Sequence, residues 1–217
     1  MHSTYPSIKS ELDTRNVTLV AVSKTRPVAA LMELYDQGQR DFGENRVQEM
    51  RDKQALMPKD IRWHLIGHLQ RNKVKYIAPW VAMIHSVDSL DLLEEIDKQA
   101  AKAGRIIPCL LQMFIAKEES KFGLDVEELH DLLQSDRYRS FTHIRIDGLM
   151  GMATNTEDTQ QIRSEFATLR SIFESTRTQY FQADAHFSVL SMGMSSDYRI
   201  AVEEGSTMVR IGSLLFH

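Results

Sequence analysis

Val17-Thr18-Leu19-Val20-Ala21-Val22-Ser23-Lys24-Thr25-Arg26-Pro27 is an apolar run that turns polar at Ser23 and ends at a proline. Its β-branched content and its closing proline predict a buried strand followed by a turn. Lys24 stands where strand becomes turn. Lysine is seldom kept inside a protein unless something pairs with it. A strand-end ammonium therefore either reaches solvent or is held for chemistry, because desolvation lowers its pKa and frees a nucleophilic amine. Taken alone, the solvated lysine is the simpler reading, so the decision passes to the rest of the chain.

Outward from this run, strand-like segments fall near 17–22, 40–42, 61–66, 82–87, 106–114, 143–150, 184–190 and 207–211. Segments of helical period lie between them, near 28–37, 45–55, 72–78, 89–103, 126–134, 157–178 and 197–204. Ser89 and Asp125 precede two of these as N-caps, and Gly104 follows one as a C-terminal glycine. Repeated βα units imply parallel strands joined by right-handed crossovers. Eight of them close into a (β/α)8 barrel, and 217 residues fits the lower end of that fold's size range. The prediction is one α/β domain over residues 1–217, a single TIM barrel. An open doubly wound sheet is the rival, but no Gly-x-Gly-x-x-Gly turn follows the first strand.

Composition narrows the class. Hydrophobic residues make 42%, charged residues 26%, and the net charge is -4, which gives no general attraction to nucleic acid. The basic run Arg71-Asn72-Lys73-Val74-Lys75 reads as a solvated helix face. One cysteine, Cys109, cannot form an internal disulfide; it reads as a buried small hydrophobe, and a reducing, cytoplasmic location is expected. Neither a leader pattern nor a membrane span is legible.

Barrels of this kind carry active groups at the C-terminal ends of their strands and often bind phosphate at the loops after strands seven and eight. The seventh expected strand runs into Ser191-Met192-Gly193-Met194-Ser195-Ser196-Asp197, and the eighth into Arg210-Ile211-Gly212-Ser213. Both are Gly/Ser turns suited to an anion. Asn45, His64, His85 and Asp88 gather at other strand ends, on what is expected to be one rim, and Met192 and Met194 are expected in the pocket wall. An aldehyde on Lys24 and a phosphate at the late loops together fit pyridoxal 5′-phosphate, held as a Schiff base. His64 and His68 are four apart, but Leu65 replaces the glutamate of a His-Glu-x-x-His zinc helix. No Gly-x-Ser-x-Gly elbow or P-loop is present.

Six blocks carry a resemblance: Val20-Ala21-Val22-Ser23-Lys24-Thr25; Phe42-Gly43-Glu44-Asn45-Arg46-Val47-Gln48-Glu49; the stretch from Trp63-His64-Leu65-Ile66-Gly67-His68 to Lys73; His85-Ser86-Val87-Asp88; Leu190-Ser191-Met192-Gly193-Met194-Ser195-Ser196-Asp197; and Val209-Arg210-Ile211-Gly212-Ser213. In this order they resemble the signature blocks of the pyridoxal phosphate homeostasis protein family, over almost the whole chain. The resemblance implies a fold-type III barrel like the N-terminal domain of alanine racemase. It implies a monomer that binds and buffers the cofactor and delivers it to apo pyridoxal-phosphate enzymes, without known turnover and without a membrane or nucleic-acid partner. Carried over, Lys24 forms the imine and Asn45 lies beside the cofactor. His64 and Met192 belong to the binding set, Ser191, Gly193, Gly212 and Ser213 take the phosphate, and Arg210 faces the pyridine nitrogen. The stretch from Gln112 to Gly123 departs from the family: Met113-Phe114 replaces a usual Val-Asn, and Phe122 a small residue. The alternative is a racemase or lyase of the alanine racemase fold. Such racemases add a second domain and a partner-subunit tyrosine, whereas this chain is expected to end with the eighth strand, and none of its six tyrosines falls in a motif suited to that role.

Overall fold

The computed structural model describes residues 5–116 and 123–216. Lys117 to Phe122, most of the departing stretch after Met113, and His217 lie outside the described residues. Eight parallel strands form a closed barrel: β1 (Thr18–Val22), β2 (Asp41–Glu44), β3 (Arg62–Leu65), β4 (Met83–Val87), β5 (Ile107–Met113), β6 (Ile144–Gly151), β7 (Val189–Ser191) and β8 (Met208–Ile211). Each pairs with the next in sequence, and β8 returns to β1 with Val20 opposite Arg210. The helices are α1 (Tyr5–Asp13), α2 (Val28–Asp36), α3 (Val47–Leu56), α4 (Leu90–Lys102), α5 (Val126–Gln134), α6 (Asp136–Arg139), α7 (Thr159–Tyr180) and α8 (Tyr198–Glu203). Among the described residues no helix is long and apolar enough to cross a membrane.

The expected caps form. The Ser89 hydroxyl accepts from Leu92 N–H at 3.3 Å, and Asp125 makes a reciprocal capping box with Glu128. Gly104, at φ +63°, ends α4. Three expectations shift. The segment 72–78 is a 3₁₀ turn, Arg71–Tyr76, rather than an α-helix. The single turn α6 is not among the expected elements between the strands.

The seventh strand is Val189–Ser191 instead of 184–190. Asp184 breaks the extended run: its carbonyl accepts from Phe187 N–H at 3.3 Å, and its carboxylate from His186 N–H at 2.9 Å. The turn drives Phe187 inward, where it stacks on Phe181 (centroids 4.3 Å apart) and Phe173 (5.0 Å).

Most of the apolar core lies between barrel and helices, with Cys109 fully buried within it. Inside the barrel a smaller cluster gathers Val20, Met83, Leu110, Met150 and Met208. His64, His85, Ser191 and Arg210 are buried polar residues on strands of the same barrel. Because Phe187 is only 1% exposed and closes the aromatic stack, Phe187→Ala should cost roughly 3–5 kcal/mol in chemical denaturation. A loss under about 1 kcal/mol would mean the stack does not hold α7 to β7.

Candidate functional site

At the C-terminal mouth of the barrel a cavity of about 770 Å³ is lined by Lys24, Asn45, Gln112, Arg210, Gly212 and Ser213. Val22, Ile66, Gly67, His68, Met152, Met194, Ser195, Ser196 and Leu214 complete its wall. Barrel closure explains the convergence. With Val20 beside Arg210 and Ala21 beside Ile211, the turn that carries Lys24 leaves the barrel next to Gly212-Ser213.

Lys24 is exposed, so of the two readings of a strand-end lysine it reaches solvent, while still lining the cavity. Its turn is held instead. The Lys53 ammonium, almost buried, donates to the Ser23 carbonyl (2.7 Å), Glu44 Oε1 (2.6 Å) and Glu49 Oε1 (2.8 Å), which uses its three hydrogens. Ser23 Oγ donates to the same Glu44 oxygen at 2.6 Å, and Thr25 N–H donates to Glu49 Oε1 at 2.6 Å. Among the described residues, Glu44 Oε2 is buried without a partner. Burial pushes the Glu44 carboxyl above its ordinary value, against the pull of Lys53 and Ser23. At Glu49 burial acts in the same sense, but the bonds from Lys53 and Thr25 outweigh it and hold the carboxyl low. This clamp, absent from the sequence reading, begins at Glu44 in β2 and closes with Glu49 and Lys53 at i and i+4 of α3.

The two late turns meet. Ser195 Oγ accepts from Gly212 N–H at 3.1 Å, and Asp197 Oδ1 accepts from Met194 N–H at 2.5 Å. Gly193 has φ +97°, and a Cβ there would lie 2.6 Å from the Ala201 methyl, so glycine is required for the turn to sit on α8. Among the described residues the hydroxyls of Ser196 and Ser213 have no intramolecular partner, although both residues line the cavity. Gly67 supports the opposite wall: a Cβ would lie 2.5 Å from the Asn45 carbonyl oxygen, so only glycine lets these loops touch.

Arg210 is 3% exposed and reaches the cavity from β8. It donates to Ser191 Oγ at 2.6 Å and to the Gly151 carbonyl at 3.0 Å. Burial pushes its pKa down to about 10, with Asp197 acting the other way, so it stays charged near neutrality.

Four predicted residues are not on the cavity wall. Met192 is fully buried in the outer core, because alternation along the strand end turns it away from the barrel axis and only Met194 reaches the cavity. Gly193 shapes the turn from behind. Ser191 spends its hydroxyl on Arg210 and His85. His64, with His85, lies inside the barrel rather than on its rim, because both occupy inward positions within β3 and β4 and not at their ends. His64 Nδ1 is 2.9 Å from His85 Nε2, and His64 Nε2 is 3.0 Å from Asp41 Oδ1. Asp88 pairs with His68 at 3.5 Å. The walls supplied by Met152 and Leu214 were not singled out in the sequence; their apolar side chains carry no motif.

Asp41 also takes Nε and Nη2 of Arg62 at 2.7 and 2.5 Å. Burial works to raise its carboxyl, but His64 and Arg62 outweigh it and bring it from 3.8 to about 2. A depressed folded pKa stabilises above the unfolded value and is lost as pH falls through the folded one. Asp41→Asn should therefore cost about 2 kcal/mol near neutral pH, with the gap from the parent closing as pH falls from about 4 through about 2 in urea titrations. A gap independent of pH would contradict the ionised pair.

Comparison with known proteins agrees with this fold. The model for the alanine racemase N-terminal domain matches residues 3–217. The pyridoxal phosphate homeostasis protein of Aquifex aeolicus is 40% identical over 199 residues, covering 91% of this chain and 85% of the relative. Among solved structures, PipY of Synechococcus elongatus superposes with TM-scores of 0.90 without PLP and 0.87 with PLP bound. It is 39% identical and covers 98% of this chain and 97% of its own. Matched by that family model over residues 3–217 and 40% identical to a relative over 91% of its own length, the chain belongs to the pyridoxal phosphate homeostasis protein family, on the alanine racemase N-terminal fold.

Proposed function

We propose that this chain holds pyridoxal 5′-phosphate as a Schiff base on Lys24 and serves intracellular vitamin B6 homeostasis without catalytic turnover. The observation that carries the reading is the convergence of Lys24, Arg210 and two serine-rich turns on one cavity. These residues fit the cofactor at three points. The exposed amine of Lys24 meets the aldehyde. Ser213, Ser195 and Ser196, with Gly212 allowing close approach, face the phosphate with hydroxyl and backbone donors. Arg210 faces the pyridine nitrogen, and Asn45 lies against the ring. Ser191 acts through Arg210, Gly193 through the turn, and His64 through the barrel interior.

When bound, the cofactor supplies an electrophilic aldehyde and an electron-withdrawing ring. The chain tempers the second property. Arginine only donates, so Arg210 disfavours a protonated ring nitrogen and leaves the ring a poorer electron sink. The PLP-bound state of PipY and the relatives' names as homeostasis proteins support a carrier. The lone, buried Cys109, whose thiol burial pushes up, supports a reducing cytoplasmic setting. We further propose one working domain over residues 1–217, a monomer, with apo enzymes as recipients.

Protein mixed with pyridoxal 5′-phosphate should show an absorption band that borohydride fixes to Lys24 and that Lys24→Ala abolishes; labelling of another lysine would contradict the assignment. Pyridoxal without phosphate should bind more weakly by at least about tenfold, the order expected from lost charge-assisted hydrogen bonds. Equal affinity would remove the serine turns from the site. Sustained amino-acid turnover that disappears in Lys24→Ala would overturn the carrier in favour of a racemase or lyase.

A further inference from the structure

Below the cavity floor a line of buried polar groups crosses the barrel interior, a region usually filled by branched apolar side chains. It starts at Arg210, passes Ser191, His85 and His64, and ends at Asp41, where Arg62 emerges on the opposite face with a side chain 59% exposed. Ser191 and His85 are fully buried, and His64 is 4% exposed. Four hydrogen bonds, at 2.6, 3.2, 2.9 and 3.0 Å, join the five groups.

With a single proton on each imidazole, the chemistry of the two ends fixes the direction. Arginine can only donate, so Ser191 Oγ accepts from Arg210 and its own hydrogen is available to His85 Nδ1. His85 then carries its proton on Nε2 and donates to His64 Nδ1. His64 in turn carries its proton on Nε2 and donates to Asp41. An ionised carboxylate can only accept, so the series terminates there. Full burial and the Arg210 charge hold the His85 pKa well below its ordinary value, which agrees with a neutral ring.

We propose that Asp41, His64, His85 and Ser191 form a one-way hydrogen-bond relay that positions the Arg210 guanidinium and tunes its donor strength from the far end of the barrel. The functional consequence rests on the reading above, in which Arg210 faces the cofactor ring nitrogen. Linked hydrogen bonds in a low-dielectric interior polarise one another. A stronger acceptor at Asp41 draws each proton along the line, leaves Ser191 Oγ richer in electrons and binds the guanidinium more tightly. A weaker acceptor loosens it. Arg62, by neutralising part of the Asp41 charge, sets the strength of that end. None of these four residues touches the ligand cavity; they are positioning residues acting through Arg210.

The test uses two variants of opposite sense. Asp41→Asn weakens the terminal acceptor, whereas Arg62→Gln removes the charge that competes for it; the latter lies at the exposed end and leaves the core packing alone. In protein without ligand, ¹⁵N NMR of the histidine rings should show His64 and His85 both as Nε2–H tautomers. The Arg210 side-chain nitrogen signals should move in opposite directions in the two variants. After addition of pyridoxal 5′-phosphate ¹⁵N-labelled in the ring, the ring-nitrogen shift should follow the same opposition. A purely structural role predicts shifts of one sign in both variants, or none, and that result overturns the relay, as does an Nδ1–H tautomer at His85. Should Asp41→Asn not fold, an Arg210 signal unmoved in Arg62→Gln is by itself sufficient to overturn it. Failure of the parent protein to bind the labelled cofactor would reject the functional reading instead, and the ligand-free signals would still judge the relay.

Discussion

The site depends on barrel closure. Until β8 pairs with β1, Lys24 belongs to the first quarter of the chain and Arg210 and Ser213 to its last few residues. The parallel register of Val20 with Arg210 and Ala21 with Ile211 brings them to one mouth. Contacts so distant in sequence must overcome loop-closure entropy before they contribute stability. The amine, the guanidinium and the serine turns therefore assemble together with the last ladder, and the site forms when the fold is complete.

A second constraint is a buried positive charge with no carboxylate bonded to it. Among the described residues, Arg210 finds hydroxyl and carbonyl acceptors, with Asp197 near enough to oppose the cost of burial. An isolated charge in a dry interior would be far more expensive. The polar interior of β2, β3, β4 and β7 is an answer to that demand. It replaces part of the apolar filling, alongside the cluster of Val20, Met83, Leu110, Met150 and Met208.

Much of this was legible in the chain. The alternation of strand and helix gave eight strands within a few residues, because fully buried parallel strands read as near-continuous apolar runs. Asp184 misled because His186-Phe187-Ser188-Val189-Leu190 still alternates; the competing bond from its own carboxylate is a local turn that periodicity does not register. At the mouth, Lys24, Asn45, Arg210, Gly212 and Ser213 stood out by residue type and place. His64 and His85 also stood out, but the side of a strand end on which a residue falls depends on register, which one residue of slip reverses. The Glu44–Lys53–Glu49 clamp was hidden for a different reason. Charged residues along a helix look solvated until the partner strand is known to press on them.

One backbone detail bears on how the lysine is presented. Thr25, next to Lys24, sits at φ +63°, a left-handed geometry that disfavours a β-branched residue by roughly 1–2 kcal/mol. Its N–H is captured by Glu49, so the kink is fixed from outside the turn rather than chosen by it. A relaxed loop would let the amine sample a wide cone of orientations, most of them pointing away from the pocket. The contorted one narrows that cone in advance, so less orientational freedom is left to lose when a guest arrives.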